Sequence, residues 1–455
     1  MKNIAKVWRS STAFLLSAFS FLILITSCGN ELDEALQPAN NGAIQFVVSD
    51  FPAFGESGLT RAIGTQDEGK TAWENGDQII VTLTSQKYGE QAAALTYDGT
   101  NWGTEVYLSY LENETPTISA VYAPCYEVTV EGVKQLRSGM QLGMCEYLEA
   151  DCEIQNGTIN ISFADAFRTY SRLRIAGLSN QALTVTTTDF TPAGATEVAT
   201  AAYTLTTDNN GNAFLYGVFA EDATVSVKQG DVTLTDYTFT EATEATYGYA
   251  LDARPVIDGT LGGKATATED DITALVEQLK AYVDNGITTI IVTGETPATI
   301  EVEGYTISAI GAAIYSLSGS GIEKNSTYLG KIDLILSDVT EIVATEFYTA
   351  FALNSITLPK VTKIGDMAFQ GCYYLKQLTF GSVLTEVNET GGVMFAQVGK
   401  EVDGCNLFIN CGQMKENSVP TPDLTTNTWK FKYTNEFKSI TLTHTGACDE
   451  CKANQ

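Results

Sequence analysis

Apolar and polar positions in the C-terminal part of this chain repeat at a fixed step. Leu334 to Ile342 reads LILSDVTEI, and 22 residues further on Ile356 to Ile364 reads ITLPKVTKI. The same step carries Phe347 onto Phe369, and Ile356 and Leu358 onto Leu378 and Phe380. A period in the low twenties predicts a solenoid, in which each unit buries its apolar face on the next. Alternation along each short strand directs Leu334, Leu336, Ile356, Leu358, Leu378 and Phe380 inward, with Phe347 and Phe369 filling the core from the other side. Ile335, Thr357, Thr379 and Thr441 then form an outward ladder, which with Tyr373 and Tyr374 beside a turn is the candidate binding face. As read from the spacing, this ladder holds no large aromatic, the usual mark of a binding hot spot. Further copies are expected at Thr289–Val292, near Leu407, and at Ser439–Leu442, which reproduces Ser355–Leu358.

The pattern before the repeats is different. From about Ala43 to Ile257, short alternating segments are broken by turn residues: Ile79, Val81 and Leu83 alternate, and Asp98-Gly99 predicts a hairpin into a strand containing Trp102. Other strands are expected at Thr117–Tyr122, Thr158–Phe163, Ser171–Ile175, Leu183–Thr188, Ala213–Val218, Thr224–Lys228 and Tyr237–Thr240. Such spacing without helices points to a β-sandwich, and the length of the region to two in tandem. Gly259–Ala267 (GTLGGKATA) reads as a flexible linker. It fails as a phosphate-binding loop, because Asp258 stands where glycine is required and Ala265 where Ser or Thr is. One helix follows. Thr268 and Asp271 make a capping box, Ile272, Leu275, Val276, Leu279 and Val283 form an apolar stripe, and Asn285-Gly286 ends it. Its expected role is to cap the first turn of the solenoid, the alternative being a partner-binding helix.

The chain has 455 residues, 44% hydrophobic and 10% aromatic, which excludes a largely disordered protein. Lys2, Lys6 and Arg9 precede a short apolar run, Ala13 to Thr26, too short for a stable membrane span and suited to a signal peptide over residues 1–27. Losing that segment removes three positive charges and no acid, so the formal charge moves from -29 to -32. A surface this acidic repels nucleic acid, which is excluded as a partner. Eight cysteines follow Cys28, with Cys145/Cys152 and Cys405/Cys411 as candidate local pairs and the full pairing open.

Four resemblances sharpen this frame. Ile25-Thr26-Ser27-Cys28 resembles a bacterial lipobox, which implies lipidation of Cys28 and a tether over residues 28–41. The acidic GNELDEALQ that begins at Gly29 loosely resembles the surface-export signals of Bacteroidetes lipoproteins. WENGDQIIV, ALTYDGTNW, ISAVYAP and ISFADAFRTYSRLRIAGL together resemble the fimbrillin-like lipoproteins of Bacteroidetes. That likeness implies two transthyretin-like β-sandwiches, at 42–163 and 164–258, and a strand-exchange assembly with a cut after an arginine. Arg61, in Leu59-Thr60-Arg61-Ala62, is the candidate cut site, although an ordinary exposed loop arginine has the same appearance. The segment Ser355 to Phe380 resembles the BspA-type leucine-rich repeat of bacterial surface proteins, implying a repeat domain over 268–455.

Catalytic signals are sparse. His444 is the single histidine, and no G-x-S-x-G motif is present. His444, Cys448 and Cys451 supply three metal-ligand types without a fourth, so no metal and no cofactor is expected. The expected protein is mainly β, non-enzymatic and lipid-anchored at the outer membrane. Tandem sandwiches would present a short, helix-capped repeat solenoid to a host protein or glycan. The alternative is a fimbrial anchor or accessory subunit that contacts other fimbrial subunits, and a third reading is a glycan-handling protein.

Overall fold

The computed structural model describes residues 44–52, 70–111, 114–155, 157–163, 168–318, 327–381, 386–387, 393–410, 421–423, 428–430 and 436–443. Cys28, Arg61, Cys411, His444, Cys448 and Cys451 lie outside the described residues. The protein is mainly β, with two helices among the described residues. No helix there is long and apolar enough to cross a membrane.

The first seven-stranded sheet is built from Gln45–Val48, Gln78–Ser85, Gly89–Tyr97, Trp102–Gly103, Thr117–Tyr122, Leu148–Gln155 and Thr158–Ser162. Ile79, Val81 and Leu83 are fully buried, as their alternation requires. Asp98 closes the expected hairpin by accepting the Thr100 and Asn101 N–H groups, with Gly99 at φ +95°. Trp73 anchors the core, its ring meeting Phe51, Trp102, Tyr122 and Phe163 edge-on at 4.8 to 5.5 Å. The edge strand Gln45–Val48 pairs in parallel with Thr158–Ile161.

Ser171–Ala176, Ala182–Pro192, Ala199–Thr206, Asn212–Phe219, Thr224–Gln229, Val232–Thr238 and Gly248–Asp252 make a second sheet. Its core stacks Phe190 on Phe219 at 4.3 Å and Phe219 on Phe239 at 4.6 Å. Gly217 makes this possible, since a Cβ there would lie 2.2 Å from the Phe190 ring. Cysteine pairing differs from expectation. Cys145 is bonded to Cys125, 20 residues earlier, and Cys152 and Cys405 are free. Sequence proximity favours the nearer partner, but the fold sets the Cys125 and Cys145 Cα atoms 5.8 Å apart, within bridging range.

The third sheet is entirely parallel, in the order Val256–Asp258, Thr289–Thr293, Ile332–Leu336, Leu353–Leu358, Gln377–Phe380, Asn406–Asn410 and Ser439–Thr443. Each repeat copy expected from the spacing is therefore a strand of one ladder. Val256–Asp258 precedes them all. Gly259–Ala267, expected to be flexible, is fastened instead: Gly259 donates to Thr293 O, Ala267 to Thr299 O, and Thr299 to Ala265 O. The Asp258 carboxylate accepts the Thr260 and Gly262 N–H groups, so it fills the glycine-rich turn from within. The Thr260 hydroxyl, which donates to it at 2.7 Å, and then these N–H groups hold its pKa below the usual carboxylate value.

Helix α1, Glu269–Asp284, carries the expected capping box and buries Ile272, Leu275, Leu279 and Tyr282 against the repeat core. That burial leaves its apolar stripe occupied. Its C-cap residue Asn285 accepts the Asp231 N–H at 2.8 Å and so touches the second sheet. Helix α2, Ala309–Ser318, was not expected from the sequence. Eight of its ten residues, including Ala309, Ile310, Gly311, Ala312, Ala313 and Ile314, are buried, so no polar face gives it a period.

Candidate functional site

The inward positions are buried as their alternation demands: Leu334, Leu336, Ile356, Leu358, Leu378 and Phe380 are each 2% exposed or less. Each such side chain contributes roughly 1.5–3 kcal/mol by leaving water. Phe347, Phe369 and Phe395 form a continuous stack on the turn side, with centroids 5.7 and 5.6 Å apart. Phe395 was not among the expected core residues, because it follows Phe369 by 26 residues and breaks the 22-residue step.

Backbone pairing fixes the outward row. Ile335 pairs with Thr357, Thr357 with Thr379, Thr379 with Phe408, and Phe408 with Thr441. The spacing between successive side chains is that of adjacent strands, about 4.8 Å. Thr441 is exposed, whereas Ile335, Thr357, Thr379 and Phe408 are half-buried. Phe408 corrects the expectation of a ladder without aromatics. It was missed because Leu407 follows Leu378 by 29 residues, so the 22-residue step does not reach it.

Tyr373 and Tyr374 lie away from this row, at a turn. The Tyr373 ring stacks on Phe351 at 5.1 Å, its hydroxyl donates to Gln397 Oε1 at 2.9 Å, and the Lys400 ammonium sits 5.1 Å above it. Tyr374 meets Phe351 edge-on at 6.2 Å. Both rings are half-buried in contacts of the protein's own making.

A cleft of about 280 Å³ opens elsewhere on the turn side, lined by Glu303, Tyr305, Tyr315, Thr345, Glu346 and Tyr348 among others. One wall is a hairpin, Thr299–Val302 paired with Tyr305–Ser308 through the turn Glu303-Gly304. Glu346 is 5% exposed; its carboxylate accepts the Ser308 N–H at 3.0 Å and the Ser308 hydroxyl, while Ser308 Oγ accepts the Gly311 N–H to cap α2. Burial raises the Glu346 pKa, opposed by the bonds from Ser308. The signal for Glu346 was present in the repeat step, for Ala368 lies 22 residues on, at the corresponding buried position.

No group of three or more His, Cys, Asp or Glu residues suited to a metal ion occurs among the described residues.

Residues 325–398 match the model of the BspA type leucine-rich repeat region, in six copies. No curated protein matches the chain. Among solved structures, a mutant form of the shaft pilin SpaA from Lactobacillus rhamnosus GG aligns over 39% of this chain and 93% of its own, at 11% identity and a TM-score of 0.15. A second mutant form aligns over 46% of this chain and 95% of its own, at 11% identity and a TM-score of 0.16. At such scores this likeness carries no argument about fold or function.

Proposed function

We propose that this is a non-enzymatic cell-surface protein that recognises a partner through its leucine-rich repeat region. In this reading Cys28 carries the lipid at the outer membrane, the two N-terminal sheets are transthyretin-like sandwiches forming a stalk, and the repeats form a short solenoid. The host-side partner is a protein or a glycan. One observation carries the reading: the outward row Ile335, Thr357, Thr379, Phe408 and Thr441 runs without a break across five strands. A regular strip with one half-buried aromatic is a surface on which a partner can dock broadly and be anchored at one point. The test is an array of host matrix proteins and glycans probed with the intact protein. Binding should fall at least tenfold in Phe408→Ala and in Thr357→Arg, with circular dichroism unchanged. Binding that survives both variants would remove the ladder as the recognition face.

A second reading, a fimbrial subunit assembling by strand exchange, draws support from the edge strand Gln45–Val48. It is four residues long and among the described residues pairs on one side only, with Thr158–Ile161, so its loss would expose a sheet edge. N-terminal sequencing of the protein from the cell surface tests it, and a mature chain beginning at Ala62 is the outcome it requires.

A further inference from the structure

We infer that the cleft between the Thr299–Ser308 hairpin and the Thr345–Tyr348 turn receives a lysine or arginine side chain of a basic partner protein. The first ground is the lining. Tyr305 and Tyr348 are 46% and 43% exposed, and Tyr315 is half-buried beside them. Among the described residues, no ring, cation or hydrogen-bond partner engages the side chains of these three tyrosines or of Glu303. Tyrosine faces attract cations through the ring quadrupole, and a carboxylate at the rim adds a charge-assisted acceptor.

The second ground is Glu346. Adjacent repeats place Ala368 and Met394, both fully buried, where this turn places a carboxylate, as the bonds from Phe347 N to Ala368 O and from Phe369 N to Met394 O show. A buried carboxylate is costly unless it is paired, and no basic side chain among the described residues pairs with this one. Anchoring α2 through Ser308 accounts for the two hydrogen bonds that Glu346 accepts. It does not account for three uncovered tyrosines beside it.

Elsewhere the protein supplies the cation itself. Lys134 lies 4.7 Å over Tyr126 and 5.1 Å over Tyr147. Lys70 lies 5.6 Å over Tyr122 while bonding Asp77 at 2.7 Å. The cleft has the combination of rings and carboxylates that holds Lys70, and its described lining residues include no lysine or arginine. With 55 acidic and 26 basic residues, the chain as a whole draws basic partners toward it. At about 280 Å³ the cleft lies at the lower limit for a small-molecule pocket, and suits one side chain.

The inference deepens the recognition reading by naming a partner class, but its test does not depend on the ladder. Fluorescence anisotropy of a labelled trilysine peptide is measured on the intact protein, with triacetyl-lysine and a glucose oligomer as comparators. Affinity for trilysine should fall about tenfold in the Tyr305→Ala/Tyr348→Ala double variant and two- to fivefold in Glu303→Gln. Glu131→Gln, an exposed carboxylate on a distant hairpin, should leave it unchanged. Acetylated peptide should bind about tenfold more weakly. Equal losses in Glu131→Gln, or none in the tyrosine variant, would overturn the proposal in favour of diffuse charge attraction. Glucose-oligomer binding that vanishes in the tyrosine variant would overturn it in favour of a glycan site. Phe408→Ala should bind trilysine normally, so failure of the ladder reading and failure of this one give different results.

Discussion

Arg168 donates to Glu146 at 2.8 Å in a site where both side chains are almost wholly excluded from solvent. The Tyr170 hydroxyl donates to the same Glu146 oxygen at 3.2 Å, and Arg168 Nη1 donates to Pro52 O at 3.0 Å. Glu146 leads into the strand Leu148–Gln155 of the first sheet, and Arg168 leads into Ser171–Ala176 of the second. The pair thus ties the first and second sheets at their junction. Glu146→Ala takes a carboxylate partner away from a buried guanidinium and should cost about 3–5 kcal/mol in urea denaturation. Replacing both partners with apolar residues of similar size should cost less than either single change.

Left-handed backbone recurs in the repeats at fixed places. Thr349, Gly371 and Gln397 each follow a stacked phenylalanine by two residues, with φ of +52°, +75° and +67°. Gly371→Ala should destabilise by about 1–2 kcal/mol from the left-handed backbone alone. A Cβ there would also lie 3.0 Å from Thr349 Cγ2. In a Thr349→Gly background the same change should cost less, since that contact is gone. Thermal melts of the two single variants and the double variant measure the difference.

The disulfide between Cys125 and Cys145 closes a loop of about 20 residues. Its removal in a Cys125→Ser/Cys145→Ser variant should cost about 3 kcal/mol, because the open chain gains conformational freedom when unfolded. Reductant should lower the melting temperature of the parent protein and leave that variant unaffected.

Acid should loosen helix α1 before the rest of the repeats. The Asp271 carboxyl, bonded by Lys264 Nζ and by the Thr268 N–H and hydroxyl, is lowered from 3.8 to about 2. A carboxyl depressed in the folded state stabilises it fully above the unfolded value and loses that contribution as the pH falls through the folded one. The Asp271 contribution is therefore present above about pH 4 and lost toward pH 2. Hydrogen exchange of α1 amides across this range should rise in the parent protein and show a weaker pH dependence in Asp271→Asn.

Much of this architecture was legible because its signals are local or periodic. The capping box at Thr268 and the alternation around Leu334, Ile356 and Leu378 each specify an element without help from distant residues. Helix α2 was not legible, since burial on all sides removes the polar half of a helical period. Leu148–Gln155 escaped for a related reason, its acidic residues facing outward on alternate positions and masking a short apolar row. Phe408 was hidden by a change in loop length, which shifts sequence spacing while leaving strand pairing intact. In the cleft, Tyr305 and Tyr348 come together only through the hairpin fold, and Glu346 was detectable as a carboxylate at a core position of the repeat.

Leu334, Ile356, Leu378, Leu407 and Ile440 are separated by 22, 22, 29 and 33 residues, yet each pairs with the next in an unbroken row. Chain length between strands is thus uncoupled from the position of the strands themselves. Foreign sequence grafted between Gly381 and Val393, ahead of the buried Met394 and Phe395, would lengthen this connection without shifting the row of side chains on the sheet. The repeat region is in this sense a scaffold with one invariant face and one that can lengthen freely.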